Sequence, residues 1–114
     1  MPRIHRVLII GTGSIGERHT RCFLNTGRAD VQICELNRDV RLRVADTYGV
    51  ESHVALEQAL QNPPDIAVIC TPAPLHVPMA RQLVLAGTDV LVEKPLGTST
   101  DGVDQLCWEV EQAE

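Results

Sequence analysis

The segment Gly11-Thr12-Gly13-Ser14-Ile15-Gly16 constrains the fold more than any other stretch of this chain. It follows a short apolar run, Arg6 to Ile10, and opens a stretch, Ser14 to Asn25, whose Ile15, Cys22 and Phe23 fall on one face of a helix. Strand, tight turn and helix are expected in that order. Each glycine has its own reason: Gly11 for the turn, Gly13 for close approach of a phosphate to the backbone, and Gly16 for tight packing of helix on strand. The free N–H groups and positive dipole end of the helix face the same phosphates. A GxGxxG set between a strand and a helix is the fingerprint of a dinucleotide pyrophosphate site, with Gly11, Gly13, Ser14, Ile15 and Gly16 as its contacts.

The alternation continues. Val31 to Glu35 reads as a second strand, and Val40, Val44, Ala45 and Tyr48 recur at helical spacing until Gly49 ends the element. A weak strand, Val50 to His53, leads into a short helix with Leu56, Ala59 and Leu60, stopped by Asn62-Pro63-Pro64. Ile66 to Cys70 is a fourth strand, and Val77, Ala80, Leu83 and Val84 mark a helix up to Gly87. Val90 to Val92 is a fifth strand, and Val103, Leu106, Cys107 and Val110 share one face of a last helix, Ser99 to Gln112. Continuously apolar strands such as Val7-Leu8-Ile9-Ile10 and Ile66-Ala67-Val68-Ile69 must be covered on both faces. This predicts an α/β fold in three layers, a doubly wound parallel sheet of the Rossmann type in the strand order 3-2-1-4-5, with the sixth strand absent. Its ligand site lies beyond the carboxyl ends of the strands, among the loops after residues 10, 35, 70 and 92. A length of 114 residues suits one domain, residues 1–114.

Glu35 ends the second strand nineteen positions after Gly16, where the fingerprint needs a carboxylate to accept hydrogen bonds from the adenosine ribose. A carboxylate there repels the extra phosphate of NADP, so NAD is the expected cofactor and NADP the alternative. Arg38, just beyond, is suited to pairing with a 2′-phosphate, to lying over the adenine or to facing water, and the sequence leaves these open. A net charge of -5 with scattered arginines argues against a nucleic-acid partner. No apolar run is long enough to span a bilayer and the N-terminal Met-Pro-Arg-Ile-His lacks the apolar stretch of a signal peptide, so no membrane role and a cytoplasmic location are expected. Cys22, Cys34, Cys70 and Cys107 form no CxxC pair and no cluster with histidine. They are expected to be small buried apolar side chains, with no disulfide and no metal site.

Lys94 is the only lysine beside nine arginines. In such a chain a plain surface charge would more readily be arginine, whereas lysine, unlike arginine, can give or take a proton near neutral pH in a partly desolvated crevice. His5, His19 and His53 have no chemical partner in view and are assigned to structure or surface.

Three motifs recur together: Gly11 to Gly16 followed by His19, Thr71-Pro72 with His76 after the fourth strand, and Glu93-Lys94-Pro95 after the fifth, preceded by Ala86-Gly87-Thr88-Asp89-Val90-Leu91-Val92. On these the chain resembles, over nearly its whole length, the N-terminal domain of the glucose–fructose oxidoreductase and inositol dehydrogenase (Gfo/Idh/MocA) family. The resemblance implies that Thr71, Pro72 and His76 line the nicotinamide and ribose end of the cofactor, although His76 reads equally well as a polar residue in the first helical turn. It further implies that Lys94 is catalytic, touching the substrate hydroxyl beside the nicotinamide. Glu93 would support it electrostatically, and Pro95 would fix the turn through a cis peptide bond.

The function so implied is that of an NAD(P)-dependent oxidoreductase moving a hydride between the nicotinamide and a hydroxyl or carbonyl carbon of a small, sugar- or cyclitol-like substrate. This chain would hold the cofactor side and be inactive alone, with the substrate domain outside it. Self-association to a homo-oligomer is expected from the apolar fifth strand at a sheet edge. The alternative is a non-catalytic dinucleotide-sensing regulatory module, since folds of this type also serve as ligand-gated switches. Lys94 discriminates between the two, because a sensor has no use for a proton-handling group at the nicotinamide end.

Overall fold

In the computed structural model, which describes residues 3–113, the central strand is β1 (His5–Ile10), whose Val7, Leu8, Ile9 and Ile10 are all buried. Successive side chains of a strand point to opposite faces, so a strand that is apolar at every position must serve two cores. Four crossover units and a last helix build the rest: α1 (Ser14–Asn25), β2 (Ala29–Cys34), α2 (Arg38–Tyr48), β3 (Glu51–His53), α3 (Leu56–Ala59), β4 (Ile66–Ile69), α4 (His76–Leu85), β5 (Asp89–Val92) and α5 (Val103–Ala113). A short 3-10 turn, Ala73–Leu75, leads into α4. The strands form one sheet in the order β3-β2-β1-β4-β5, with every pairing parallel. This is the expected doubly wound Rossmann arrangement.

One core lies between Leu8, Ile10, Ala67 and Ile69 of the sheet and Leu56, Leu83 and Leu106 of α3, α4 and α5. The other joins Val7, Ile9, Val31, Ile33 and Val68 to Val44 of α2, with Phe23 and Leu24 of α1 packed against it. Each fully buried Leu, Ile or Val in these cores contributes roughly 1.5–3 kcal/mol of transfer free energy. Helix ends follow the glycines, as at Gly49, which closes α2 at φ +64° in the left-handed region. No helix of the described residues is long and apolar enough to cross a membrane.

Three side-chain expectations are corrected. Helix α1 buries Gly16 and Thr20, with Phe23 partly covered, while Ile15 and Cys22 are exposed. Small residues win that face because the helix lies close to the strand turn, and Thr20 enters the interior by donating its hydroxyl to the Gly16 carbonyl at 2.8 Å. Helix α5 buries Leu106 and Glu109, with Cys107 and Val110 outside; the Glu109 carboxylate is tolerated there because Arg81 Nη2 of α4 donates to it at 2.8 Å. Of the four cysteines, Cys34 is buried and Cys70 partly so, but Cys22 and Cys107 are exposed.

Candidate functional site

The loops at the carboxyl ends of β1, β2, β4 and β5 meet on one side of the sheet. Gly11 turns the chain there at φ +85°, and a Cβ on it would stand 2.9 Å from the Cys70 carbonyl, so the β1 and β4 loops are in direct backbone contact. Nothing lies within 4 Å of a Cβ built on Gly13. Helix α1 starts beside it with no side-chain cap, which leaves its first-turn N–H groups, from Ser14 to Gly16, open to an anion. A Cβ on Gly16 would collide with the Gly11 carbonyl oxygen.

Glu35 is tied to the same turn. Its Oε1 accepts from the Thr12 N–H at 2.7 Å and from the Thr12 hydroxyl at 3.2 Å, and its Oε2 from the Asn37 N–H at 2.9 Å. Burial alone would raise the Glu35 pKa, but the hydrogen bonds from Asn37 and Thr12 outweigh it and hold the carboxyl below its ordinary value. Asn37 caps α2 by accepting from the Val40 N–H at 3.1 Å, and Arg41 Nη1 donates to the Glu35 carbonyl at 2.9 Å. Arg38, the first residue of α2, is exposed.

A cleft of about 500 Å³ opens between these loops, with Gly11, Gly13, Glu35, Leu36, Thr71 and Pro72 in its wall. Ser14, Ile15, Gly16, Arg38, His76, Glu93 and Lys94 are not part of that wall. Burial followed by the neighbouring carboxylates, Glu35 for Cys34 and Glu93 for Cys70, pushes both bordering thiols up to about 11, so they are packing groups rather than nucleophiles. Beyond the cleft, Lys94 is exposed at the end of β5, and its bond to Pro95 is cis.

His76 occupies the first turn of α4 and is only 2% exposed. Its Nε2 lies 2.6 Å from the Thr71 carbonyl and its Nδ1 2.7 Å from the Pro95 carbonyl. With both ring nitrogens engaged, its polar atoms serve the loops rather than the cleft. His19, expected to lack a partner, has one: its Nε2 is 2.6 Å from Glu93 Oε1. Sequence reasoning also missed Thr12 and Arg41. The variable positions of a GxGxxG carry no residue signal, and the His19–Glu93 contact spans 74 positions, beyond any local pattern.

Comparison with known proteins agrees with this fold. Residues 5–114 match the family described as an oxidoreductase family with an NAD-binding Rossmann fold. An inositol 2-dehydrogenase/D-chiro-inositol 3-dehydrogenase of Shouchella clausii (strain KSM-K16) is 32% identical over 115 residues, covering 96% of this chain and 32% of that protein. The crystal structure of GenD2 from gentamicin A biosynthesis in complex with NAD superposes with a TM-score of 0.90 at 30% identity, over 99% of this chain and 33% of that one. Biliverdin reductase from Synechocystis sp. PCC 6803, in complex with biliverdin and NADP+, superposes with a TM-score of 0.88 at 25% identity, over 95% and 35% of the two chains. The chain thus spans about a third of the length of these relatives. It belongs to the Gfo/Idh/MocA oxidoreductase family, as an NAD-binding Rossmann domain of that family.

Proposed function

We propose that this chain is the cofactor-binding domain of an NAD(P)-dependent dehydrogenase that moves a hydride between the nicotinamide and a hydroxyl or carbonyl carbon of a sugar- or cyclitol-like substrate. One observation carries the reading. The Thr12 N–H, inside the glycine turn, donates to Glu35 at 2.7 Å, which joins a phosphate-binding turn and a ribose-binding carboxylate in one wall of a dinucleotide-sized cleft. The open space at Gly13 and the uncapped start of α1 fit the pyrophosphate.

When bound, the cofactor supplies the hydride chemistry. The chain's own residues bind, orient and handle protons. First-turn N–H groups of α1 receive the phosphates. Glu35 Oε2 takes a single protein donor, the Asn37 N–H, and so keeps acceptor capacity for a ribose hydroxyl. Thr71 and Pro72 line the same cleft from the loop after β4. Lys94 holds and releases the proton of the substrate hydroxyl, with Glu93 beside it. The inositol activity in the name of the Shouchella relative supports a cyclitol-like substrate, and the substrate domain lies outside these residues.

Calorimetric titration of the chain with NAD and with NADP tests the reading. NAD is expected to bind more tightly, and Glu35→Gln, which removes the charge and keeps an acceptor, to narrow the difference. Equal affinities in the wild type would transfer the choice to Arg38, and absence of binding by either dinucleotide would overturn the proposed function.

A further inference from the structure

The turn that carries Lys94 is gripped from two sides by histidines of different helices. On one side His19 of α1 places Nε2 2.6 Å from the Glu93 carboxylate. On the other, His76 of α4 places Nδ1 2.7 Å from the Pro95 carbonyl, while its Nε2 reaches the Thr71 carbonyl at 2.6 Å. The residues immediately before and after Lys94 are therefore each held by an imidazole. Lys94 itself is exposed and makes no side-chain hydrogen bond among the described residues.

The grip begins where the sheet stops. The last ladder bond of β5 runs from the Glu93 N–H to the Ile69 carbonyl at 3.1 Å, and no sheet pairing supports the chain from Lys94 onward. A lysine amine sits on a flexible four-carbon stem. The backbone at its root therefore decides where that amine can reach, and an unsupported root would leave it unplaced. Packing alone does not account for His76: a core filler has no need to set both ring nitrogens on carbonyls of two separate loops. Carbonyls only accept, so a hydrogen bond to either one needs an N–H on the ring nitrogen that faces it. A neutral imidazole has one to give and a protonated one has two.

We propose that His19 and His76 are positioning residues that fix the root of Lys94, and so the reach of its amine, by holding Glu93 from one side and Pro95 from the other. The functional consequence rests on the proposed role of Lys94 in proton transfer, whereas the clamp itself rests on geometry alone.

The sole lysine gives a direct reading of this. Reductive methylation with ¹³C-formaldehyde labels Lys94 and the terminal amine, and the Lys94 methyl resonance is followed by NMR in the 114-residue chain. In the wild type it is expected away from its position in urea. His19→Leu, which removes the donor to Glu93, and His76→Phe, which keeps the volume but no N–H, should each move it most of the way to that position. His19→Gln restores an N–H for Glu93 and should bring the resonance back. Circular dichroism of the same samples reports folding, and if His76→Phe does not fold, the contrast between His19→Leu and His19→Gln decides. A resonance unmoved by His19→Leu, or one that His19→Gln fails to restore, overturns the clamp. NAD titration of the wild-type sample separates the two ideas. A moved resonance without NAD binding sinks the dehydrogenase reading and leaves the clamp standing, and NAD binding with an unmoved resonance does the reverse. In the full-length enzyme His19→Leu should lower kcat by roughly tenfold to a hundredfold, the scale of a misplaced reacting group, with NAD affinity unchanged.

Discussion

A Cβ on Gly16 would meet the Gly11 carbonyl, whereas one on Gly13 would meet nothing within 4 Å. The two glycines are therefore required for different reasons: Gly16 by the protein's own packing, Gly13 by whatever approaches from outside. Gly13→Val is expected to abolish dinucleotide binding while leaving the circular dichroism spectrum nearly unchanged, because its side chain would fill only the open space proposed for the phosphates. Binding that survives would show that the pyrophosphate does not sit on this turn. At Lys94, which is exposed, truncation removes the proposed proton-handling group and no side-chain hydrogen bond among the described residues. Lys94→Ala in the full-length enzyme is expected to lower kcat roughly a hundredfold or more, the usual scale for a general acid–base group, with little change in cofactor affinity. Loss of affinity with unaltered turnover at saturation would assign Lys94 to holding the cofactor. Both positions stand out in the sequence, since glycine spacing is local and a lone lysine among arginines is conspicuous, and the roles proposed for them rest on these two measurements. Thr12 and His19 do not, because their partners, Glu35 and Glu93, arrive through the winding of the sheet.

Apolar spacing located every helix but misassigned the buried faces of α1 and α5, where polar or small residues are interior. For α1 the cause is the close approach of Gly16 to the Gly11 turn, and for α5 it is an ion pair with the neighbouring helix. Glu109 of α5 is paired with Arg81 of α4, and Glu17 of α1 accepts from Arg43 and Tyr48 of α2. These contacts give the helices a common acid sensitivity. The Arg43 hydrogen bond holds the Glu17 carboxyl below its ordinary value of 4.5, the Arg81 hydrogen bond does the same for Glu109, and the Arg6 N–H holds Asp65, ahead of β4, below its own ordinary value of 3.8. A carboxylate whose pKa is depressed by folding stabilises the native state above its unfolded pKa, and that contribution is lost as the pH falls through the folded value. Stability measured by urea unfolding is therefore expected to be nearly level from neutrality down to about pH 5 and to fall below about pH 4.5. Glu17→Gln should flatten part of the fall. A stability that stays level well below pH 4 in the wild type would show that these contacts do not favour the folded state.

For the whole molecule, strand order was the most legible property, because continuous apolar strands, right-handed crossovers and one glycine turn leave few arrangements. What the pattern did not reveal is how unevenly the last strand is covered. In the parallel register Val68 stands opposite Leu91, and Val68 belongs to the core under α1 and α2. Leu91 therefore points to that same face, yet it is 48% exposed, because no helix covers the sheet that far out. Its neighbours Val90 and Val92 are turned to the other core, under α4 and α5. Among the described residues β5 pairs only with β4, so an apolar face and a row of free backbone groups occur on one edge strand. Such an edge invites a second strand. For this chain by itself the expected partner is another copy, and light scattering across a concentration series should show mass rising with concentration. Leu91→Lys, which puts a charge on that face at a half-exposed position, should shift the rise to higher concentration. The proposed function puts the substrate-binding residues outside these 114, so the same samples should bind cofactor and transfer no hydride. A monomer at every concentration would remove β5 as an association edge, and hydride transfer by the chain alone would show that the cofactor side is sufficient for turnover.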